Sequence, residues 1–85
     1  LLVDVREPNE FAAGHIPGAV LNPLQSFDPS ALPDVPGKRV VLSCRSGRRS
    51  LLALEHAEKA GRGDVRAHYP GGFQEWSTAG EPVEV

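Results

Sequence analysis

Arg39-Val40-Val41-Leu42-Ser43 is the stretch that most narrows what this chain can fold into. Its centre is apolar and β-branched with no polar–apolar alternation, the pattern of a strand covered on both faces in a parallel sheet. Such a strand needs helices above and below it, and the flanking sequence supplies them. "LLVDV" (1–5) is a second short β-type run, and "VRAHY" (65–69) a third. Between the first two, Pro8 and Gly14 bracket a short helix over "PNEFAAG". "HIPGAV" (15–20) holds a Pro-Gly turn that leads into an extended piece at Ala19–Leu21. Residues 23–37, rich in Pro, Asp and Ser, predict a loop with one helical turn around Leu24–Phe27.

After the central strand, "RRSLLALEHAEKAG" (48–61) places Ser50, Ala53, Leu54, Ala57 and Ala60 on one helical stripe and ends in Gly61. "FQEWSTAG" (73–80) predicts a last short helix, turning Phe73 and Trp76 into the core behind a Gly71–Gly72 turn. Strands alternating with helices predict an α/β domain with a central, mostly parallel sheet flanked by helices. The chain shows no repeat or linker, so one domain is expected over residues 1–85. It starts in an apolar run without Met, which reads as a domain cut.

Composition excludes several function classes. Lys plus Arg number 9 against 11 Asp plus Glu, a net charge of −2, so general nucleic-acid binding is not expected. No run approaches the length of a membrane span, and no leader pattern is visible. A reactive thiol suits a reducing cytoplasm; a periplasmic protein whose leader had been removed would look the same. One Cys and three His (His15, His56, His68) have no metal-ligand spacing, and nothing in their spacing pairs a histidine with the cysteine. His15 reads as a structural hydrogen bonder and His56 as a residue of an exposed helix face. Glu55, Glu58 and Glu75 read as solvated helix surface.

Against that balance, "SCRSGRRS" (43–50) is conspicuous. It holds the chain's only cysteine, Cys44, followed within five positions by Arg45, Gly47, Arg48 and Arg49. Cys44 stands just beyond the carboxyl end of the central strand, where open α/β sheets form their ligand crevice. The following helix aims its first N–H groups at this loop, and Gly47 permits the tight path that lets amides converge on an anion. Amides, helix terminus and guanidinium groups all favour thiolate over thiol. The expectation is a nucleophilic thiolate inside a pocket for an oxyanion or an anionic sulfur. A buried cysteine acting as a small hydrophobe leaves the glycine and the three arginines unexplained.

"DVREPNEFAAGHIPGAVLNPL" (4–24), "VVLSCRSGRRS" (40–50) and "YPGGFQEWSTAGEPVE" (69–84) resemble, in that order, the landmark segments of rhodanese-like sulfurtransferase domains. The resemblance implies a small three-layer fold with the active-site loop between a central strand and the next helix. It implies that Cys44 takes a sulfane sulfur from a donor such as thiosulfate, becomes a persulfide, and passes the sulfur to cyanide or a thiol. The backbone of Arg45, Ser46, Gly47, Arg48 and Arg49 would cradle the transferred sulfur, with Ser50 as support. The side chains of Arg45, Arg48 and Arg49 would attract the anionic donor or stabilise departing sulfite. Arg6 would add positive charge at the rim, and Asp4 would fix loops by hydrogen bonding. No metal or organic cofactor is implied. The partners would be small sulfur donors and acceptors, or a protein of a sulfur relay, and the expected state is a monomer or weak dimer. Such domains commonly carry a segment, often with an edge strand, before the position of "LLVDV".

Two other functions use related residues. Cysteine-dependent phosphatases and arsenate reductases have a similar loop but place arginine six positions after the cysteine. Here Arg49 is at +5 and Ser50 at +6, a shorter loop that suits a sulfur atom better than a phosphate. A non-catalytic interaction module of the same fold usually lacks the cysteine, which this chain retains.

Overall fold

The computed structural model describes residues 1–85. Four strands, β1 (Leu2–Asp4), β2 (Val20–Leu21), β3 (Val41–Ser43) and β4 (Ala67–His68), form one sheet in the order β2-β1-β3-β4. Every pairing in it is parallel, with Val3 opposite Leu42 and Asp4 opposite Ser43. Three helices connect and follow them: α1 (Pro8–Ala13), α2 (Arg48–Lys59) and α3 (Gly72–Thr78). The strands are shorter than the apolar runs that predict them. At β4, for example, Val65 still donates its N–H to Arg62 O in the preceding turn.

Alternation along the strands gives the sheet two unlike faces. Val3, Val5, Val40, Leu42 and Cys44 point to one side, where they meet Ala53 and Ala57 of α2 together with Leu32 and Val65. Ala53 and Ala57 are fully buried, and their small size lets α2 lie close against the sheet. Burying a side chain such as Leu42 contributes about 1.5–3 kcal/mol. Asp4, Arg6 and Ser43 point to the other side, covered by α1 and α3, and that face is held by polar groups. Arg6 pairs with Asp4, donates to Gly14 O at 2.7 Å, and lies 4.3 Å over the Phe73 ring.

Several expectations change on this frame. Ala60 is exposed, because α2 ends at Lys59. Phe73 and Trp76 are half-buried and do not belong to the apolar core. Phe73 supports a guanidinium, and Trp76 Nε1 donates to Pro82 O at 2.6 Å, pinning the C-terminal segment. The 23–37 segment contains the turn at Leu24–Ser26 and a second one at Pro29–Ala31, where the Asp28 side chain caps by accepting from Ser30 N. The Asp, Pro and Ser that mark a loop are also the residues that start such a turn. Arg62 clamps this segment by donating to the carbonyls of Pro29, Leu32 and Pro33. No helix is long and apolar enough to cross a membrane.

Candidate active site

Residues 44–50 lead from β3 into α2 and form a closed loop around the Cys44 sulfur. Gly47, at φ 93°, takes the left-handed conformation that starts α2, and a Cβ there would run into Pro70 O. Its N–H donates to Cys44 Sγ at 3.1 Å. The loop's outer carbonyls are turned away from the sulfur by α3. Phe73 N–H donates to Cys44 O at 2.7 Å and Gln74 N–H to Arg45 O at 2.9 Å. Gly72, at φ 60°, lets α3 approach this closely, since a Cβ there would collide with the carbonyls of Cys44 and Arg45. The Gly71–Gly72 turn therefore belongs to the site.

Cys44 itself is 1% exposed, at the floor of the loop. Burial pushes its thiol up, but hydrogen bonds outweigh burial and the net shift is downward. They come from the Ser50 side chain and the backbone amides of Ser50, Ser46 and Gly47. The amides expected to favour the thiolate do so here, and the Ser50 hydroxyl acts with them, ahead of any guanidinium. This follows from geometry: short amide contacts aimed at the sulfur act more strongly than flexible charges at the rim.

The arginines divide into three kinds. Arg45 and Arg48 are exposed and form no side-chain hydrogen bond or ion pair, so they are the free cations beside the loop. Arg49 reaches across to α1 and holds Glu10 through two bonds of 2.6 and 3.0 Å. Its charge is largely committed to that carboxylate, which the bonded guanidinium holds down at about 2. Arg6 is not at the rim. It is 3% exposed, with Nε and Nη2 donating to the Asp4 carboxylate at 2.8–3.0 Å, because the turn out of β1 directs it toward Gly14 O and the Phe73 ring. Asp4 also accepts from the Arg6 backbone N–H at 3.0 Å, fixing the turn out of β1.

Ser50, buried in the first turn of α2, is the residue whose surroundings the sequence conceals. Its Oγ lies 3.6 Å from Cys44 Sγ, donates to Gly47 O at 3.1 Å, and sits 2.9 Å from His68 Nδ1 on β4. No spacing rule pairs residues 50 and 68; the β3–α2–β4 crossover does it. His15, as expected, is structural: it stacks on Phe11 with ring centroids 3.8 Å apart, and its Nδ1 bonds Phe11 O at 2.8 Å. His56 is exposed. Glu75 is exposed but also accepts from Tyr69 OH at 3.1 Å.

Two open grooves flank the loop, separated by Gln74. One runs from Ser46 past Pro70 and Gly71 to Thr78, and the other from Arg45 past Phe73 to Ala13 of α1.

With this loop and sheet order in view, the wider comparison is decisive: residues 1–79 match the family model of the rhodanese-like domain. The chain belongs to the rhodanese-like domain family. It is similar to the uncharacterized protein slr1261 of Synechocystis sp., at 45% identity over 83 residues, 98% of this chain and 46% of that one. It thus spans about half the length of that relative. It is also similar to a sulfurtransferase of Allochromatium vinosum, at 39% identity over 98% of this chain and 77% of that one. Among solved structures, a rhodanese-related protein of Thermoplasma volcanium superposes with a TM-score of 0.81 at 29% identity, covering 98% of this chain and 81% of that one. The α/β architecture with its parallel four-stranded sheet is therefore that of rhodanese-like domains.

Proposed function

We propose that this domain is a sulfurtransferase in which Cys44 carries the sulfur as a persulfide. The observation that carries the reading is a single cysteine whose Sγ receives the Gly47 N–H at 3.1 Å inside a closed amide loop. The sulfurtransferase among its relatives supports the same reaction class.

In the first half-reaction the Cys44 thiolate attacks the outer sulfur of an anionic donor such as thiosulfate. An Sγ–S bond forms, the bond from that sulfur to the sulfonate breaks, and sulfite departs with the electron pair. Cys44 then bears a persulfide anion, whose negative outer sulfur the loop amides are suited to hold. In the second half-reaction cyanide or a thiolate attacks the outer sulfur and Cys44 leaves as thiolate. Because the chain has one cysteine, the acceptor is external to it. Arg45 and Arg48, unpaired at the loop, offset the repulsion between a thiolate and a dianionic donor. Arg49 standing at +5 and Ser50 at +6, a shorter loop than the phosphatase pattern, weighs against a phosphatase.

Intact mass after thiosulfate treatment tests the reading. The expected result is a gain of one sulfur, about 32 Da, that cyanide removes and Cys44→Ala abolishes. A wild-type domain that forms no such adduct would leave the non-catalytic module in its place.

A further inference from the structure

The Cys44 thiol is linked through Ser50 to a residue that the sulfur-transfer scheme leaves unused. Sγ, Ser50 Oγ and His68 Nδ1 form a chain with steps of 3.6 and 2.9 Å. A serine hydroxyl has one proton, and here three acceptors compete for it: the sulfur, Gly47 O at 3.1 Å, and His68 Nδ1 whenever that nitrogen is unprotonated. Only when Nδ1 carries a hydrogen does His68 stop competing and donate to Oγ instead. That donation occupies an oxygen lone pair, polarises the O–H bond and leaves the proton to the sulfur and Gly47 O, of which a charged thiolate is the stronger acceptor.

We propose that His68 is a positioning residue for sulfur transfer: its Nδ1–H holds the Ser50 hydroxyl so that it donates to the Cys44 sulfur whenever that sulfur is a thiolate. The inference rests on the persulfide reading above and assigns His68 a part in both half-reactions. In the first it raises the fraction of attacking thiolate, and in the second it stabilises the same thiolate as leaving group. His68 acts through Ser50 and does not touch the sulfur.

The surroundings leave few rivals for this role. Arg45 of the loop and Arg48 of α2 are exposed to solvent and screened, and Arg49 of α2, which does interact with the thiolate, is tied to Glu10 of α1. Just beyond β1, Arg6 is consumed by Asp4, and α3 presents backbone N–H groups to the loop carbonyls. On β4's own side, Arg66 is turned to Gly63 O. His68 makes no other side-chain hydrogen bond and no ion pair, so Ser50 is its one polar partner.

The test is the pH profile of Cys44 alkylation by iodoacetamide in wild type, His68→Ala, His68→Asn, Ser50→Ala and the Ser50→Ala/His68→Ala double variant. His68→Ala is expected to raise the midpoint by about half to one unit, which is about 3- to 10-fold less thiolate at neutral pH. His68→Asn, whose amide N–H takes the place of Nδ1–H, is expected to restore most of it. In the Ser50→Ala background, removing His68 should add nothing. An unchanged midpoint in His68→Ala, or an equal shift without Ser50, overturns the assignment. If His68→Ala does not fold, His68→Phe, which keeps a ring and lacks Nδ1, carries the same expectations. The two readings fail separately: a missing thiosulfate adduct in wild type removes the persulfide reading, whereas a normal adduct with an unmoved His68→Ala profile removes only this one.

Discussion

The backbone N–H of Phe73 donates to the carbonyl of Cys44 at 2.7 Å, so the last helix holds the nucleophile's own peptide group. With Gln74 N–H on Arg45 O, it fixes the loop's carbonyls outward and thereby leaves its amides facing the sulfur. An anion site of this kind needs both halves, because a carbonyl turned inward would repel the charge the amides attract. The consequences can be measured.

Gly72→Ala is expected to damage stability and sulfur loading together. An added Cβ meets the Cys44 and Arg45 carbonyls at a left-handed φ of 60°. The expected loss is at least about 2 kcal/mol by urea denaturation, with persulfide formation slowed about tenfold or more. Gly80→Ala is the control. Gly80 has a comparable φ of 79° but open surroundings, so it should cost only about 1 kcal/mol and leave loading unchanged. Equal effects at both positions would remove the close approach of α3 as the cause.

The Glu10–Arg49 pair should make the domain acid-sensitive over a defined range. Glu10 is lowered to about 2 in the folded chain, chiefly by its hydrogen bond with Arg49, against an ordinary 4.5. Its stabilisation is therefore complete above about pH 4.5 and lost as pH falls toward 2. The pair is partly exposed, so screening reduces the effect to about 1–2 kcal/mol. Glu10→Gln should flatten denaturation midpoints across that window. A wild-type profile parallel to that of Glu10→Gln would contradict the assignment.

Arg45→Ala and Arg48→Ala should each lower kcat/KM for thiosulfate by about 3- to 10-fold at low salt, with folding intact. Their effect should shrink at about 0.5 M salt, since exposed charges act through a screened field. Steady-state kinetics across a salt series reads both. A salt-independent loss would point to direct contact with the reacting atoms.

Arg6→Met should show the opposite signature. It leaves the Asp4 carboxylate buried without its partner, at a cost of about 3–5 kcal/mol, a large share of the stability of a chain this size. Asp4→Asn added to it should recover part of that loss. Were Arg6 a rim cation, the single variant would keep its denaturation midpoint and lose thiosulfate affinity instead.

How much of this was legible in the chain depends on the range of the interaction. Strand positions, the Pro8 and Gly14 brackets, α2 and the Cys44 loop follow from periodicity and turn chemistry over a few residues. The ordered landmark segments carried the family. Buried partners were not legible, because they depend on which side of the sheet a side chain emerges and what packs there. Arg6 and Arg49 look alike as letters. One is consumed by a carboxylate two residues away beneath two helices, and the other by Glu10, 39 residues distant. Trp76 and Phe73 read as core because they are large and apolar, yet each supports a single polar contact at the edge of α3.

By itself, then, the sequence determined a parallel α/β domain with one thiol at the carboxyl end of its central strand, since local geometry and apolar patterning suffice for that. Only the tertiary structure decided which groups stabilise the thiolate. Ser50 and His68 lie 18 residues apart, and they meet because a right-sized α2 returns the chain to lay β4 beside β3. Hydrogen bonds act over about 3 Å, so their partners are chosen by the fold and not by the spacing of letters.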